Sequence, residues 1–506
     1  MKRVVTFISI LVFCFSAFAQ GAYDGENCTS IIVGKAASVD GSVITSHTCD
    51  GHYRTWVTIE QAQRHLPGEM HAVRRGTMKT SSPSDTAGVR LIGEIPESEY
   101  TYKYLNTGYP CLNEKQLGIG ETTFTGPKSL INEASLFTIE ELQRIALQRC
   151  DNARDAVLLM GRLAERYGYG DGGECLTVAD KNEVWHFEIV GIGAGEKGAA
   201  WAAKRIPDGE VGVSANIPRI GRLERGDPEN FLCSDNVEKV ALKHGLWDGK
   251  SEFSFWRAFR SSYGDGRNYS YREFYILSTL APSLGLKFGM DELPLSVKPD
   301  KKVSVQDVFG LLRATYEGSD WDACKNIRIG DKTSPVANPW ITNNWKKTLN
   351  TIAPGTVESR RTVSVAWCAY SHVIQLRSWL PDEVGGVCWY SVDNPAQSPR
   401  IPIFCGNTQL PEAYSRCGQD NYWPDCALWT FRRANKLATL LWQSNKEDFN
   451  AEVMKMEAMA FKGLPELETV PSEESLNAYT RKVYEAAAAR WKELEGRYWV
   501  KSGSGF

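Results

Sequence analysis

Cys28-Thr-Ser-Ile-Ile-Val-Gly-Lys35, followed by Asp40-Gly41-Ser42-Val-Ile-Thr-Ser-His47-Thr-Cys49-Asp50, is the stretch on which the fold turns. The first run is rich in β-branched residues and reads as a strand. Asp40-Gly41 is a strong hairpin signal, and Ser42 to His47 reads as the returning strand. If the turn centres on Asp40-Gly41, paired positions sum to about 81 and Cys28 faces Tyr53. Irregular pairing through Ala36 to Val39 would shift this by a few residues. Either way, His47-Thr-Cys49-Asp50-Gly-His52 returns beside Cys28. A thiol, an imidazole and a carboxylate meet at one end of the hairpin.

Such a thiol becomes a nucleophile when a neighbour takes its proton and the thiolate is stabilised. If Asn27 were removed, the α-amino group of Cys28 would serve as that base. Its reference pKa is about 7.7–8.0, and Asp50 would orient the ammonium. The plainer alternative is a small buried residue opening a strand. The N-terminus supplies a reason for removal. Lys2-Arg3, the apolar run Val4 to Phe18, and Ala17-Phe18-Ala19 before Gln20 have the layout of a secretory signal peptide. The expected division is a signal peptide at 1–19 and a short propeptide at 20–27. An uncleaved anchor is the alternative, though the run is short against the roughly 20 residues needed to span a bilayer. Phe13 is too bulky to precede a lipidated Cys14. The expected location is therefore periplasmic or secreted, with no membrane span after processing.

Composition narrows the classes further. The 506 residues carry 58 basic and 61 acidic side chains, a net charge of -3, and no basic stripe that would suit nucleic acid. One long apolar run excludes a polytopic membrane protein. Cys405, Cys417 and Cys426 lie in a loop-like stretch where an oxidising compartment would permit a disulfide.

Several motifs are set aside. Gly193-x-Gly195-x-x-Gly198 follows an apolar strand but precedes only Ala199 to Lys204 before Pro207, too short for a βαβ crossover helix. It reads as a glycine-rich turn. Gly386-Val-Cys388-Trp389 is papain-like, yet that chemistry needs a downstream histidine and the last one is His372. His47, Cys49, Asp50 and His52 are all metal-capable. However, H-E-x-x-H is absent, and strand alternation sends neighbours to opposite faces. No metal and no organic cofactor are expected.

Cys28-Thr-Ser-Ile-Ile-Val-Gly-Lys-x-Ala-Ser-x-Asp-Gly-Ser42 with Asp50 resembles the start of bacterial cysteine dipeptidases of the N-terminal-nucleophile (Ntn) hydrolase superfamily. These are related to secernins and, more distantly, to penicillin V acylase and bile salt hydrolase. Leu112-Asn-Glu-Lys-Gln-Leu-Gly118, Ala179-Asp-Lys-x-Glu-x-Trp185, Ser214-Ala-Asn-x-Pro218, Arg361-Thr-Val-Ser364, Ile401-Pro-Ile-Phe404 and Pro411-Glu-Ala-Tyr414 match in order. The resemblance implies a four-layer αββα sandwich of α+β class. It also implies a nucleophile exposed by propeptide removal and a small peptide as substrate. Carried over residue by residue, Cys28 matches the nucleophile and Asp50 the aspartate that positions its amine. Asn216 matches an asparagine that stabilises the oxyanion, a contribution of about 2.7–4 kcal/mol for one donor; its alternative role is holding the turn before Pro218. Thr123 stands where relatives carry a second asparagine, and it also reads as a strand-edge threonine. His47 replaces the family's arginine. It is either part of the site or a satisfied histidine at a strand end, with Arg54 a candidate substitute cation. An acylase and a non-catalytic binding protein are the competing functions.

Ile139 to Tyr167 shows two helical stretches broken near Cys150-Asp-Asn152, and Glu174–Val190 and Glu210–Asn216 look like strands of a sheet. Cys426–Phe461 and Glu473–Tyr498 read as long helices. In the last, Leu476, Tyr479, Val483, Ala487, Trp491 and Leu494 make an apolar stripe that docks on the core or joins subunits of a homo-oligomer. The expected layout is a catalytic domain at 28–425 with a helical extension at 426–506.

Overall fold

The computed structural model describes residues 27–260 and 268–503; the expected leader and most of the propeptide lie outside them. Among the described residues no helix is long and apolar enough to cross a membrane. The chain is α+β, built on two antiparallel sheets of seven and eight strands.

The opening hairpin forms as expected, in a different register. Strand Asn27–Val33 pairs with Val43–Asp50 so that Cys28 faces Cys49 and Asn27 faces Asp50. The shift from Tyr53 has a local cause. Residues 34–42 form a wide connection in which the amides of Ala36 and Ala37 donate to Asp208 O (2.7 and 2.8 Å), while Val39 donates to Val303 O. The loop is thus tied down by distant chain instead of closing as a two-residue turn. Asp40 Oδ1 accepts from Ser42 N (3.0 Å) and Ser42 Oγ (2.6 Å), and Gly41 supplies the left-handed φ of 85° that the bend needs.

This hairpin sits in the middle of the seven-stranded sheet. Val211–Ser214 and Ser296–Val297 extend it on one side; Cys368–Leu376, Gly386–Val392 and Ile401–Phe404 extend it on the other. The eight-stranded sheet runs Phe231–Cys233, Ala200–Arg205, Val184–Val190, Glu174–Ala179, Gly118–Thr123, Leu112–Asn113, Tyr104–Asn106, Thr58–Glu60. The segments expected at 174–190 and 210–216 therefore belong to different sheets. The stretch after Gly198 is strand Ala200–Arg205, antiparallel to Val184–Val190, so nothing there can open a dinucleotide-binding helix.

The two sheets meet through Asn27–Val33 and Val43–Asp50 on one side and Gly118–Thr123 and Glu174–Ala179 on the other. Gly120 makes this approach possible. A Cβ there would lie 2.6 Å from Thr177 Oγ1 and 3.0 Å from Ser30 Oγ, and closer still to Ser46 O. Helices Ile139–Arg149 and Ala153–Tyr167 pack on the eight-stranded sheet; Tyr271–Leu280, Val305–Leu312, Ala427–Thr439 and Glu473–Ser502 pack on the seven-stranded one.

The C-terminal stripe docks on this body. Leu476, Val483, Ala487, Trp491 and Leu494 are buried in the same apolar cluster as Ile31 and Ile32 of the opening strand. Helix formation from Cys426 is interrupted, giving Ala427–Thr439 and Trp442–Lys462. Cys405, Cys417 and Cys426 are free thiols, so the disulfide considered from their spacing does not form among them.

Candidate active site

Cys28 lies one residue into its strand and is buried. Its backbone N–H donates to Asn216 Oδ1 at 2.9 Å. Asn216 holds a left-handed φ of 65° just after strand Val211–Ser214, and its Nδ2 donates to Thr123 O at 2.5 Å. Asparagine tolerates that conformation better than most residues. One side chain thus grips the Cys28 nitrogen and the edge of the opposite sheet.

Asp50 ends the partner strand and is fully buried. Its Oδ2 accepts from Thr48 Oγ1 (2.9 Å) and from Arg361 Nη2 (2.6 Å). Its Oδ1 has no hydrogen-bond partner among the described residues. This oxygen sits on the residue that pairs with Asn27 across the strands.

A second arginine completes the frame. Arg272, in the first turn of helix Tyr271–Leu280, donates through Nη1 to Cys28 O and to Thr29 Oγ1 (2.9 Å). Through Nη2 it donates to Ala215 O (3.1 Å) and Asn216 Oδ1 (2.9 Å). The helix is placed by a capping box in which Ser270 and Glu273 satisfy each other's backbone N–H. Arg272 and Arg361 were not singled out as site residues from the sequence. Arg361 lies inside one of the matching motifs, and Arg272 lies inside the S-x-x-E helix start Ser270-Tyr-Arg-Glu273. Arg54 does not replace the missing arginine: it stacks 3.4 Å from the Trp56 ring centroid and donates to Asn106 Oδ1 and Thr107 O. Burial there pulls its guanidinium down to about 9.

His47 is brought to the site. A ring nitrogen of His47, Cys28 Sγ and a carboxylate oxygen of Glu121 all lie within 4.8 Å of one another. Its Nδ1 sits 2.6 Å from Glu121 O, to which it donates in the Nδ1–H tautomer, and its ring packs against Tyr109, Tyr370 and His372. Burial lowers the imidazole below its ordinary value, against the pull of Glu121 and Asp50. Burial pushes the Cys28 thiol well up, and Glu121, Cys49 and Asp50 push it further, while a hydrogen bond from the Asp50 backbone opposes them. The thiol is protonated in this state and the imidazole neutral.

Thr123 directs its hydroxyl to Glu121 Oε1 (2.9 Å). Behind Glu121 lies a chain of acids, Glu174 and Glu140 buried and Asp171 half-buried. Burial and the Glu121 charge drive Glu174 well above its ordinary value; burial pushes Asp171 to about 6 and Glu140 to about 7.

Three donor sets among the described residues have metal-like spacing: Cys28-His47-Glu121, Cys175-His186-Glu188 and Cys111-His372-Cys388. In the second, Glu188 is already engaged by His186 Nε2 (2.8 Å) and by the backbone N–H of Arg219 and Ile220. His47, Cys49, Asp50 and His52 do not gather as one metal site, because His52 turns outward to Asp420 (2.9 Å).

A buried sulfur ringed by amide, imidazole and carboxyl groups, with guanidinium groups fixing the backbone around it, is a setting in which cysteine-based acyl transfer can be carried out. The profile of peptidase family C69 matches residues 27–455. The chain belongs to that family, one of cysteine dipeptidases. The match begins one residue before Cys28 and runs past position 425 into the C-terminal helices. The chain is 26% identical to a "Probable dipeptidase" of Latilactobacillus sakei over 401 residues, covering 76% of each chain. It is 24% identical to "Probable dipeptidase B" of Streptococcus pyogenes serotype M1, covering 81% of this chain and 78% of that one. With "Dipeptidase A" of Lactobacillus helveticus the identity is 22%, over 76% and 77%.

Proposed function

We propose that this chain is an exported dipeptidase whose nucleophile is the thiol of Cys28, freed at its nitrogen when residues 1–27 are removed. The observation that carries the reading is the position of the Cys28 nitrogen. It lies 2.9 Å from Asn216 Oδ1, one residue past the Asn27–Asp50 pair that holds a carboxylate oxygen without a partner among the described residues. Once Asn27 is gone, that nitrogen is a primary amine with Asp50 and Asn216 to orient it.

The thiol proton passes to this amine, and the thiolate attacks the dipeptide carbonyl. Backbone N–H groups and Asn216 Nδ2 hold the oxyanion. The ammonium then protonates the leaving amine as the C–N bond breaks. Water, deprotonated by the same amine, hydrolyses the thioester and restores Cys28. The packing of helices on both sheets supports the four-layer αββα arrangement of Ntn hydrolases for this scaffold.

The test is the intact mass and N-terminal sequence of active protein, together with Cys28→Ala and Cys28→Ser. A mature chain starting at Cys28, no turnover by the alanine variant and severe impairment of the serine variant are expected. Full activity in a chain that retains Asn27 would move the proton-accepting role to His47, the other acceptor near the sulfur. Full turnover by Cys28→Ala would end the proposal.

A further inference from the structure

A dipeptidase must recognise the free ends of its substrate, and the site holds one group suited to the amino end. Glu121 is fully buried, and one of its carboxylate oxygens lies within 4.8 Å of Cys28 Sγ. Its Oε1 takes the Thr123 hydroxyl, a side-chain hydrogen bond joins its carboxyl to that of Glu174, and the nearest cationic candidate to Oε2 is His47 Nδ1 at 3.9 Å. No lysine or arginine among the described residues pairs with it. Asp50, equally buried, has Arg361. A buried carboxylate without a cation is costly to maintain, so Glu121 sits where a ligand's charge would settle it.

Geometry identifies the ligand group. In a dipeptide the α-nitrogen is two bonds from the scissile carbonyl carbon, about 2.5 Å away. A thiolate poised for attack stands about 3–3.5 Å from that carbon. The α-nitrogen then falls roughly 3–5 Å from sulfur, and a charge-assisted hydrogen bond reaches about 2.8 Å further. Glu121 is inside that radius. We propose that Glu121, backed by Glu174, is the receptor for the α-ammonium of the substrate's first residue, restricting the enzyme to unblocked aminoacyl substrates. This rests on the dipeptidase reading above and extends it.

Glu174 fits the supporting role. It faces Thr123 across the neighbouring strand, is buried, and carries its proton because burial and the Glu121 charge favour the neutral form. A neutral Glu174 donates its proton to Glu121 and orients it without adding a second charge opposite the ammonium.

The test uses the mature enzyme with Ala-Ala, N-acetyl-Ala-Ala and propionyl-Ala, the last lacking only the amine. Wild type should prefer Ala-Ala over propionyl-Ala by at least about 100-fold in kcat/KM. In Glu121→Gln that ratio should collapse by about the same factor, carried mainly by KM for Ala-Ala. Equal losses on both substrates, or an unchanged ratio, would overturn the receptor while leaving the dipeptidase reading intact. If the variant fails to fold or mature, the wild-type series still decides: indifference to the amine refutes the receptor. Wild type that cleaves the acylated compounds and spares Ala-Ala would overturn both readings.

Discussion

Arg361→Gln isolates the contribution of the cation that holds Asp50. The pair is 2.6 Å apart, with the Asp50 side chain fully buried and that of Arg361 15% exposed. With charge centres about 4 Å apart and an effective dielectric constant of about 20, the Coulomb term is about 4 kcal/mol. Removing one member of a buried pair costs about 3–5 kcal/mol, because the other is left uncompensated. Asp50 would keep the Thr48 hydroxyl and the Cys368 thiol, both uncharged. Urea unfolding should therefore show a loss of about 3–4 kcal/mol, and turnover should fall by at least about 100-fold as Asp50 drifts. The double variant Asp50→Asn/Arg361→Gln removes both charges and should regain more than half of the lost stability, yet recover no turnover if, as proposed, Asp50 orients the amine of Cys28. An Arg361→Gln enzyme within about 0.5 kcal/mol and threefold of wild type would refute this reasoning. So would a double variant whose losses simply add.

Burial raises Asp171 to about 6 and Glu140 to about 7, whereas unfolded carboxyls titrate near 4. The folded state thus holds these protons more tightly. Their contribution is full below about pH 4 and is lost as pH rises to about 6–7; urea midpoints of Glu140→Gln against wild type should diverge across that window, with the variant gaining. Glu188→Ala would orphan the buried N–H groups of Arg219 and Ile220, three and four residues beyond Asn216. A stability loss of about 2–3 kcal/mol and a fall in kcat are expected from urea melts and steady-state assays. Trp491→Ala empties a fully buried site in the docked C-terminal helix and should cost about 3–5 kcal/mol with no change in molecular mass by light scattering.

The hairpin was legible because its strands and turn are local, and with it the meeting of Cys28 and Asp50 at one end; Asn216, which reaches Cys28 from 188 residues away, was marked only by the family resemblance. The register was not, since Asp208 and Val303 dictate the shape of the connection from far along the chain. Arg272 and Arg361 escaped for the same reason: they reach Cys28 and Asp50 from 244 and 311 residues away. Glu121 left a fainter signal, an acid set among the small and apolar residues of Gly118-Ile-Gly120-Glu121. His47 was readable as a departure from the family pattern; its approach to Glu121 depends on the two sheets meeting, which no strand reveals by itself.

Gly120 belongs to one sheet and the thiol to the other, with Glu121 next in the chain. A methyl group at 120 would strike Ser46 and Thr177 and act as a shim between the layers. Clearance between the layers therefore sets where Cys28, His47 and Glu121 come to lie, and a change at a residue with no side chain of its own can part them.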